Sequence, residues 1–265
     1  METRFWLKRS KQSSFVTPRI GFVGCGTHAT QNLYPSLRFA GCELVAAADP
    51  IEERRDYVRR HFGAQRVYSG YEEMLEQESL DGVMVCGPAA LHEAASIEAV
   101  GRGLPVFIEK PPADSIDGAK RILQASQSNG AFVMVALMKR FAQKYVMAKE
   151  ISSRASFGKR RHMLMRYSYS MESDDPRSDL YAMGIHAVDL VRFFMGDIRS
   201  LAVERDCRNN FAVTFRFENE ATGSLVMNAT AAGVTERMEL TGDGETLVVR
   251  EVTNLTHYPQ ADSKW

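Results

Sequence analysis

Arg19-Ile-Gly-Phe-Val-Gly24-Cys-Gly26-Thr-His-Ala29 is the stretch that decides how the chain is read. An apolar run ends in Gly-x-Gly-x-x-Ala, which is a strand turning into a helix. The first glycine permits the tight turn, the second lets backbone approach a pyrophosphate, and a small third residue lets the helix pack on its strand. Taken alone the pattern is common. Here Asp49 closes the next apolar run, Glu43-Leu-Val-Ala-Ala-Ala-Asp49, about 20 residues on, where an acid can accept hydrogen bonds from the adenine ribose hydroxyls. Gly24, Gly26, Thr27, His28, Ala29 and Asp49 are therefore candidate dinucleotide-binding residues. Asp49 would repel a 2′-phosphate, so the pattern leans to NAD. NADP stays possible, because Arg54 and Arg55 follow closely and can either meet a phosphate or line a solvated helix face.

Working outward, short apolar runs at 19–24, 43–49, 66–69, 82–87, 105–110 and 131–138 alternate with helical stretches. This is the signature of βαβ units and a doubly wound parallel sheet. Beyond Phe141 the texture changes. A helix over 142–155 leads into the alternating Arg161–Ser170 and the polar loop Asp174-Asp-Pro-Arg-Ser-Asp179, then Tyr181-Ala-Met-Gly-Ile-His-Ala-Val-Asp-Leu190. After Gly196, period-2 runs separated by Asn, Gly and Asp predict an α+β domain with an open-faced, mostly antiparallel sheet. The expected division is an N-terminal arm over 1–18, a dinucleotide-binding domain over 19–141, and a substrate and oligomerisation domain over 142–265.

Composition narrows the partners. Lys+Arg and Asp+Glu are 33 each, so no net field favours nucleic acid or an anionic membrane, and a small-molecule partner is expected. The cysteines Cys25, Cys42, Cys86 and Cys207 lack the close pairing of a zinc site, and no metal is expected. The N-terminal residues lack a secretory apolar core and no apolar run is long enough to span a bilayer, so the expectation is a cytoplasmic protein.

Two further segments sharpen the reading: Cys86-Gly-Pro-Ala-Ala-Leu-His92 after the fourth apolar run and Glu109-Lys-Pro-Pro112 after the fifth. With Gly24–Ala29, Asp49, Lys139-Arg-Phe141 and Gly184-Ile-His-Ala-Val-Asp189, the ordered series resembles the glucose-fructose oxidoreductase, inositol dehydrogenase and MocA family (Gfo/Idh/MocA). The resemblance implies an NAD(P)-dependent oxidoreductase working on a carbonyl/hydroxyl or imine/amine centre of a small polar molecule held between the two domains. It implies Lys110 and His186 as catalytic groups, and Gly87, Pro88, His92, Glu109 and Lys110 beside the cofactor. Lys110 can hydrogen-bond the substrate oxygen and offset alkoxide charge. For His92 a helix-opening role competes with cofactor contact. For Arg140, substrate or cofactor contact competes with an ion pair between the domains.

One departure is specific. The family's aspartate four residues before the histidine is replaced by Ala182, which neither accepts a proton nor places a hydroxyl. Asp179 is a turn further away, and Asp189 suits a role in fixing the helix or the imidazole. Ala182 opens a second reading, a dinucleotide-binding family member without net redox activity. The resemblance also implies a second domain shortened at its C-terminal end and a homodimer or homotetramer built through its sheet.

Overall fold

A computed structural model describes residues 17–170 and 175–260. Apart from Thr17 and Pro18, the N-terminal arm lies outside the described residues, as does Asp174 of the polar loop. The chain divides into two compact units, Met1–Ala136 and Leu137–Trp265.

In the first unit six strands, β1 (Arg19–Val23), β2 (Glu43–Ala48), β3 (Arg66–Tyr68), β4 (Gly82–Val85), β5 (Val106–Ile108) and β6 (Val133–Val135), form one parallel sheet in the order β3-β2-β1-β4-β5-β6. Helices α1 (Tyr34–Ala40), α2 (Glu52–Phe62), α3 (Tyr71–Gln77), α4 (Ala89–Gly101) and α5 (Ile116–Asn129) connect them. Successive side chains of a strand point to opposite faces, so the sheet feeds two cores. Phe22 and Ala47 pack with Ala29, Tyr34 and Val58, while Val23 and Val85 pack with Ala95, Ala99 and Ile122. Burial on both faces explains why these strands read as continuous apolar runs. Ser115 caps α5 by accepting from Gly118 N at 3.0 Å, and Gly130 closes the helix at φ +65°.

The second unit carries α6 (Gln143–Ile151), β7 (His162–Ser170), α7 (Pro176–Asp179), α8 (Ile185–Met195), and strands β8 (Ile198–Arg205), β9 (Phe211–Phe217), β10 (Thr222–Asn228), β11 (Thr230–Thr241), β12 (Thr246–Arg250) and β13 (Asn254–Tyr258). Its seven-stranded sheet runs β13-β12-β11-β7-β10-β9-β8 and is antiparallel except where β10 pairs with β7. Met163, Met165 and Tyr167 point into a core shared with Tyr145, Leu190 and Phe194 of α6 and α8. The intervening residues are exposed, and among them Leu164 and Val226 leave apolar surface on the other face. The expected mostly antiparallel sheet with one covered face is thus present.

The sixth apolar run is not one strand to residue 138. β6 stops at Val135, and Met138–Phe141 form a 3₁₀ turn belonging to the second unit. The cause is charge. Lys139 is buried against Glu236, whose other oxygen accepts from the Tyr145 hydroxyl, and its ammonium lies 4.6 Å from the Tyr167 ring centre. A buried ammonium needs such a partner, so the turn is fixed where the carboxylate stands. Burial pushes Lys139 down to about 8. Strand β13, unread in the sequence because Asn254-Leu-Thr-His-Tyr258 is polar, is an edge strand paired only with β12.

Candidate active site

In the first unit the candidate residues are assembled at the carboxyl ends of neighbouring parallel strands, where such sheets bind ligands. β1 ends in the Gly24 turn, β2 in Asp49, β4 in Cys86-Gly87-Pro88 and β5 in Glu109-Lys110. Sheet order makes β1 and β4 adjacent, so the chain reverses direction across the sheet where the glycine turns meet.

Gly24 sits at φ +101°, and a Cβ there would lie 1.9 Å from the Cys86 carbonyl oxygen. Its N–H donates to Ala48 O at 2.7 Å, so one glycine locks the ends of three strands. Gly26 is different: nothing lies within 4 Å of where its Cβ would be. That open backbone is what an approaching pyrophosphate needs. Ala29 is fully buried against the sheet and begins a π-helical segment, Ala29–Leu33, ahead of α1.

Asp49 is 6% exposed, and its oxygens accept from Cys25 N at 2.8 Å and Ile51 N at 2.9 Å. Each carboxylate oxygen can accept a second hydrogen bond, so both remain competent toward ribose hydroxyls. Beside it a cavity of about 230 Å³ is lined by Cys25, Thr27, Thr30, Glu53, Arg54 and Tyr57. The two arginines have separate roles: Arg54 lines this cavity, whereas Arg55 donates to Asp49 O at 2.7 Å. An open glycine backbone, an acid with spare acceptor capacity and an adjoining cavity fit a nicotinamide dinucleotide.

His92 is 1% exposed, and both ring nitrogens are engaged: Nε2 accepts from Gly87 N at 2.9 Å and Nδ1 donates to Pro111 O at 2.7 Å. The bonds require the neutral Nδ1–H tautomer, and burial lowers the pKa below the usual histidine value. The ring ties the Gly87 turn to the segment after Lys110. Glu109 accepts from Lys110 N at 3.0 Å, and His28 Nε2 lies 3.5 Å from its other oxygen.

Burial also decides thiol chemistry here. It pushes Cys25 up to about 11 and Cys86 up to about 12. Near pH 8 each would be thiolate to about one part in 10³ or less, whereas an ordinary thiol is substantially ionised. A disulfide reagent is therefore expected to modify exposed Cys207 rapidly, and Cys25 and Cys86 only on unfolding, as read by peptide mass mapping. Labelling of native Cys25 at the rate of Cys207 would contradict this.

A separate group of candidate residues lies in the other unit. His186, 6% exposed, stands in the first turn of α8. The residues before it, Leu180–Gly184, are π-helical. Hydrogen bonds there reach five residues on and widen the helix, but a four-residue offset still comes within about half a residue of one full turn, so Ala182 and His186 keep roughly one face. Both π-helical segments of the described residues fall at candidate site elements. Asp179 is fully buried and accepts from Asn209 Nδ2 at 2.9 Å, which holds the turn before this segment.

Arg140 grips Asp189 with two hydrogen bonds, Nε donating to Oδ2 at 2.7 Å and Nη2 to Oδ1, and lies 5.2 Å from the Phe193 ring centre. The ion pair expected between domains is instead internal to the second unit, because Leu137–Phe141 belong to it. Lys149 of α6 donates to Phe193 O, one of the carbonyls a helix end leaves unpaired. Thus α8 is held at its middle and near its C-terminal end. Among the described residues no group of three His, Cys, Asp or Glu side chains is arranged to hold a metal.

Residues 18–137 match the oxidoreductase family with an NAD-binding Rossmann fold, and 145–248 match the GFO/IDH/MocA C-terminal domain. The scyllo-inositol 2-dehydrogenase (NAD(+)) of Bacillus subtilis is 25% identical over 227 residues, covering 82% of this chain and 65% of that protein. The inositol 2-dehydrogenase of Burkholderia multivorans is 26% identical over 194 residues, covering 69% and 56%. The chain therefore spans less than two thirds of the length of these relatives. A dehydrogenase from Chromobacterium violaceum superposes with TM-score 0.85 at 25% identity, covering 94% of this chain and 79% of that one. The cofactor is NAD, in keeping with the family and with the fit of Asp49 and the glycine turn. With the models of both domains matched in order along the chain, it belongs to the Gfo/Idh/MocA family of NAD-binding oxidoreductases.

Proposed function

We propose that the protein transfers a hydride to or from the carbonyl/hydroxyl carbon of a polyhydroxylated, sugar-like molecule, with Lys110 and His186 as the protein's catalytic groups. The observation that carries this is the convergence of Gly24, Asp49, Gly87 and Glu109-Lys110 at the carboxyl ends of four strands that are consecutive in the sheet, β2-β1-β4-β5. The inositol dehydrogenases among its relatives favour a ring polyol or its ketone. An imine/amine centre is the chemical neighbour of this substrate class.

NAD supplies the hydride-transfer capacity when bound. The protein's own work is positioning and proton handling. Gly26 and Thr27 hold the pyrophosphate and Asp49 the adenine ribose, while Gly87 and Pro88 bound the nicotinamide end. His92 acts through the turn it ties, presenting Gly87 and Lys110. The Lys110 ammonium donates to the substrate oxygen and stabilises the charge that develops there. His186 gives that oxygen a proton during reduction and takes one during oxidation. Arg140, through Asp189, keeps α8 and hence the imidazole in place.

Ala182 favours the reductive direction. A carbonyl needs only polarisation and one proton, whereas an alcohol needs a base to remove its hydroxyl proton. Ala182→Asp is expected to raise the kcat for alcohol oxidation by roughly tenfold or more, at the low end of what a placed acid-base group contributes. It is measured as NADH formation with polyols; no change would place Ala182 outside the reacting centre.

Ala182 also favours a second reading, a dinucleotide-binding protein without net redox chemistry. Tight NADH binding by fluorescence with no NADH consumption across ketoinositols, ketosugars and cyclic imines would support it against the first. The exposed apolar residues Leu164 and Val226 support a homodimer through the open sheet face, to be tested by analytical ultracentrifugation.

A further inference from the structure

In the second unit three segments line a cavity of about 540 Å³. Ser152, Ser153 and Arg154 follow α6, Lys159 and Arg160 precede β7, and Asn219 is in the β9–β10 turn. Asn219 Nδ2 donates to Met195 O at 3.0 Å, so the cavity adjoins the C-terminal end of α8. Along that helix His186 is about 14 Å away. This is a place separate from the proposed chemistry.

Its charge is one-sided. Three of its side chains are cationic, and none is a carboxylate. Two acids of the adjoining β11–β12 turn are already paired. Asp243 accepts from Lys159 N at 2.8 Å and from Arg161 Nε at 2.5 Å, and Glu245 pairs with His257 at 2.7 Å. The Arg160 guanidinium is half-buried, with Nη2 donating to Ser153 Oγ at 3.3 Å. Its Nε is fully buried and has no hydrogen-bond partner among the described residues. A buried cationic donor left unmatched is costly, and bound oxyanions are the usual match for a guanidinium fork. Neither serine hydroxyl supplies it: Ser153 Oγ meets Nη2 rather than Nε, and both hydroxyls donate to Lys149 O, at 3.0 and 2.8 Å.

Two electrostatic effects agree. Burial alone lowers the Arg160 pKa, with no carboxylate opposing it. Burial, followed by repulsion from Arg160 and Arg140, pushes Lys149 down to about 8.

We propose that this cavity binds a phosphate-class oxyanion, with Arg160 as its central donor and Lys159 and Arg154 completing the cradle. The cavity volume falls in the range that holds a small organic ligand. Phosphate carried on a sugar-like metabolite and free phosphate share the same chemistry at Arg160, and the measurement separates them.

The test is calorimetric titration of the full chain with inorganic phosphate and with glucose 6-phosphate, at fixed ionic strength. Saturating NADH is present throughout, so that the glycine turn's own anion site is filled. One saturable phosphate site is expected, weakened by about tenfold or more in Arg160→Gln, the loss typical of a charge-assisted hydrogen bond. Lys159→Ala and Arg154→Ala, on exposed side chains, are expected to weaken it several-fold, and Arg166→Ala on the open sheet face to leave it unchanged. Tighter binding of the ester assigns an organic phosphate; equal binding assigns the free ion. Absence of saturable binding by both probes would overturn the proposal. So would unaltered affinity in Arg160→Gln or, should that variant not fold, in both exposed-residue variants.

Discussion

Lys110→Met is expected to lower kcat by about 10²–10³-fold, the range seen on removing one donor to a developing oxyanion. Methionine keeps much of the side chain's length and apolar stem while discarding the ammonium. The backbone bond from Lys110 N to Glu109 Oε2 survives the change. The His92 ring still bonds Gly87 N and Pro111 O on either side of the site. Stability and NADH affinity should therefore stay close to wild type while turnover collapses. The measurements are steady-state kinetics, thermal melting and NADH fluorescence titration on the same preparation. A kcat within a few-fold of wild type would show that Lys110 is an ordinary surface lysine at a strand end.

Gly24→Ala is expected to cost about 3 kcal/mol or more of stability and to abolish NADH binding. Two penalties combine. The φ of +101° is one that alanine adopts only with strain, and the new methyl would sit 1.9 Å from the Cys86 carbonyl oxygen. That oxygen belongs to backbone, so no side-chain rotation relieves the clash. The turn cannot simply move, because Gly24 N is bonded to Ala48 O at 2.7 Å and Cys86 N to Val23 O at 2.9 Å. Gly26→Ala is the informative partner. With no atom within 4 Å of the added methyl, its stability should change by less than about 1 kcal/mol, while NADH affinity falls because the methyl occupies the space left for the ligand. Chemical denaturation and NADH titration of both variants separate the two roles; equal destabilisation would contradict them.

The contrast between these glycines bears on what the sequence makes legible. The placement of Gly24, Gly26, Asp49 and Glu109-Lys110 after strand ends is legible because apolar runs locate strand ends. The α8 region was less legible, since Leu180–Gly184 is π-helical and no side-chain pattern marked the change. Arg140 was undecided for another reason: its partner, Asp189, is distant in sequence, and a long-range ion pair leaves no periodic signal. The same applies to Lys139 and Glu236, which end β6 early. The basic cavity was missed because Arg154, Arg160 and Asn219 come from three turns that only the sheet brings together. Strand β13 is illegible for a simpler reason, since Asn254-Leu-Thr-His-Tyr258 is too polar to read as a strand and is held by pairing with β12.

Both catalytic assignments rest on one requirement, that Lys110 and His186 serve the same substrate oxygen. The most direct measurement is NADH consumption with a panel of ketoinositols and ketosugars by wild type, Lys110→Met, His186→Ala and the double variant. Turnover of at least one compound is expected in the wild type. Each single variant should lose about 10²-fold or more, and the double variant should lose much less than the product of the two, as for groups that act as a unit. No turnover of any compound, or single variants retaining full activity, would contradict the assignment.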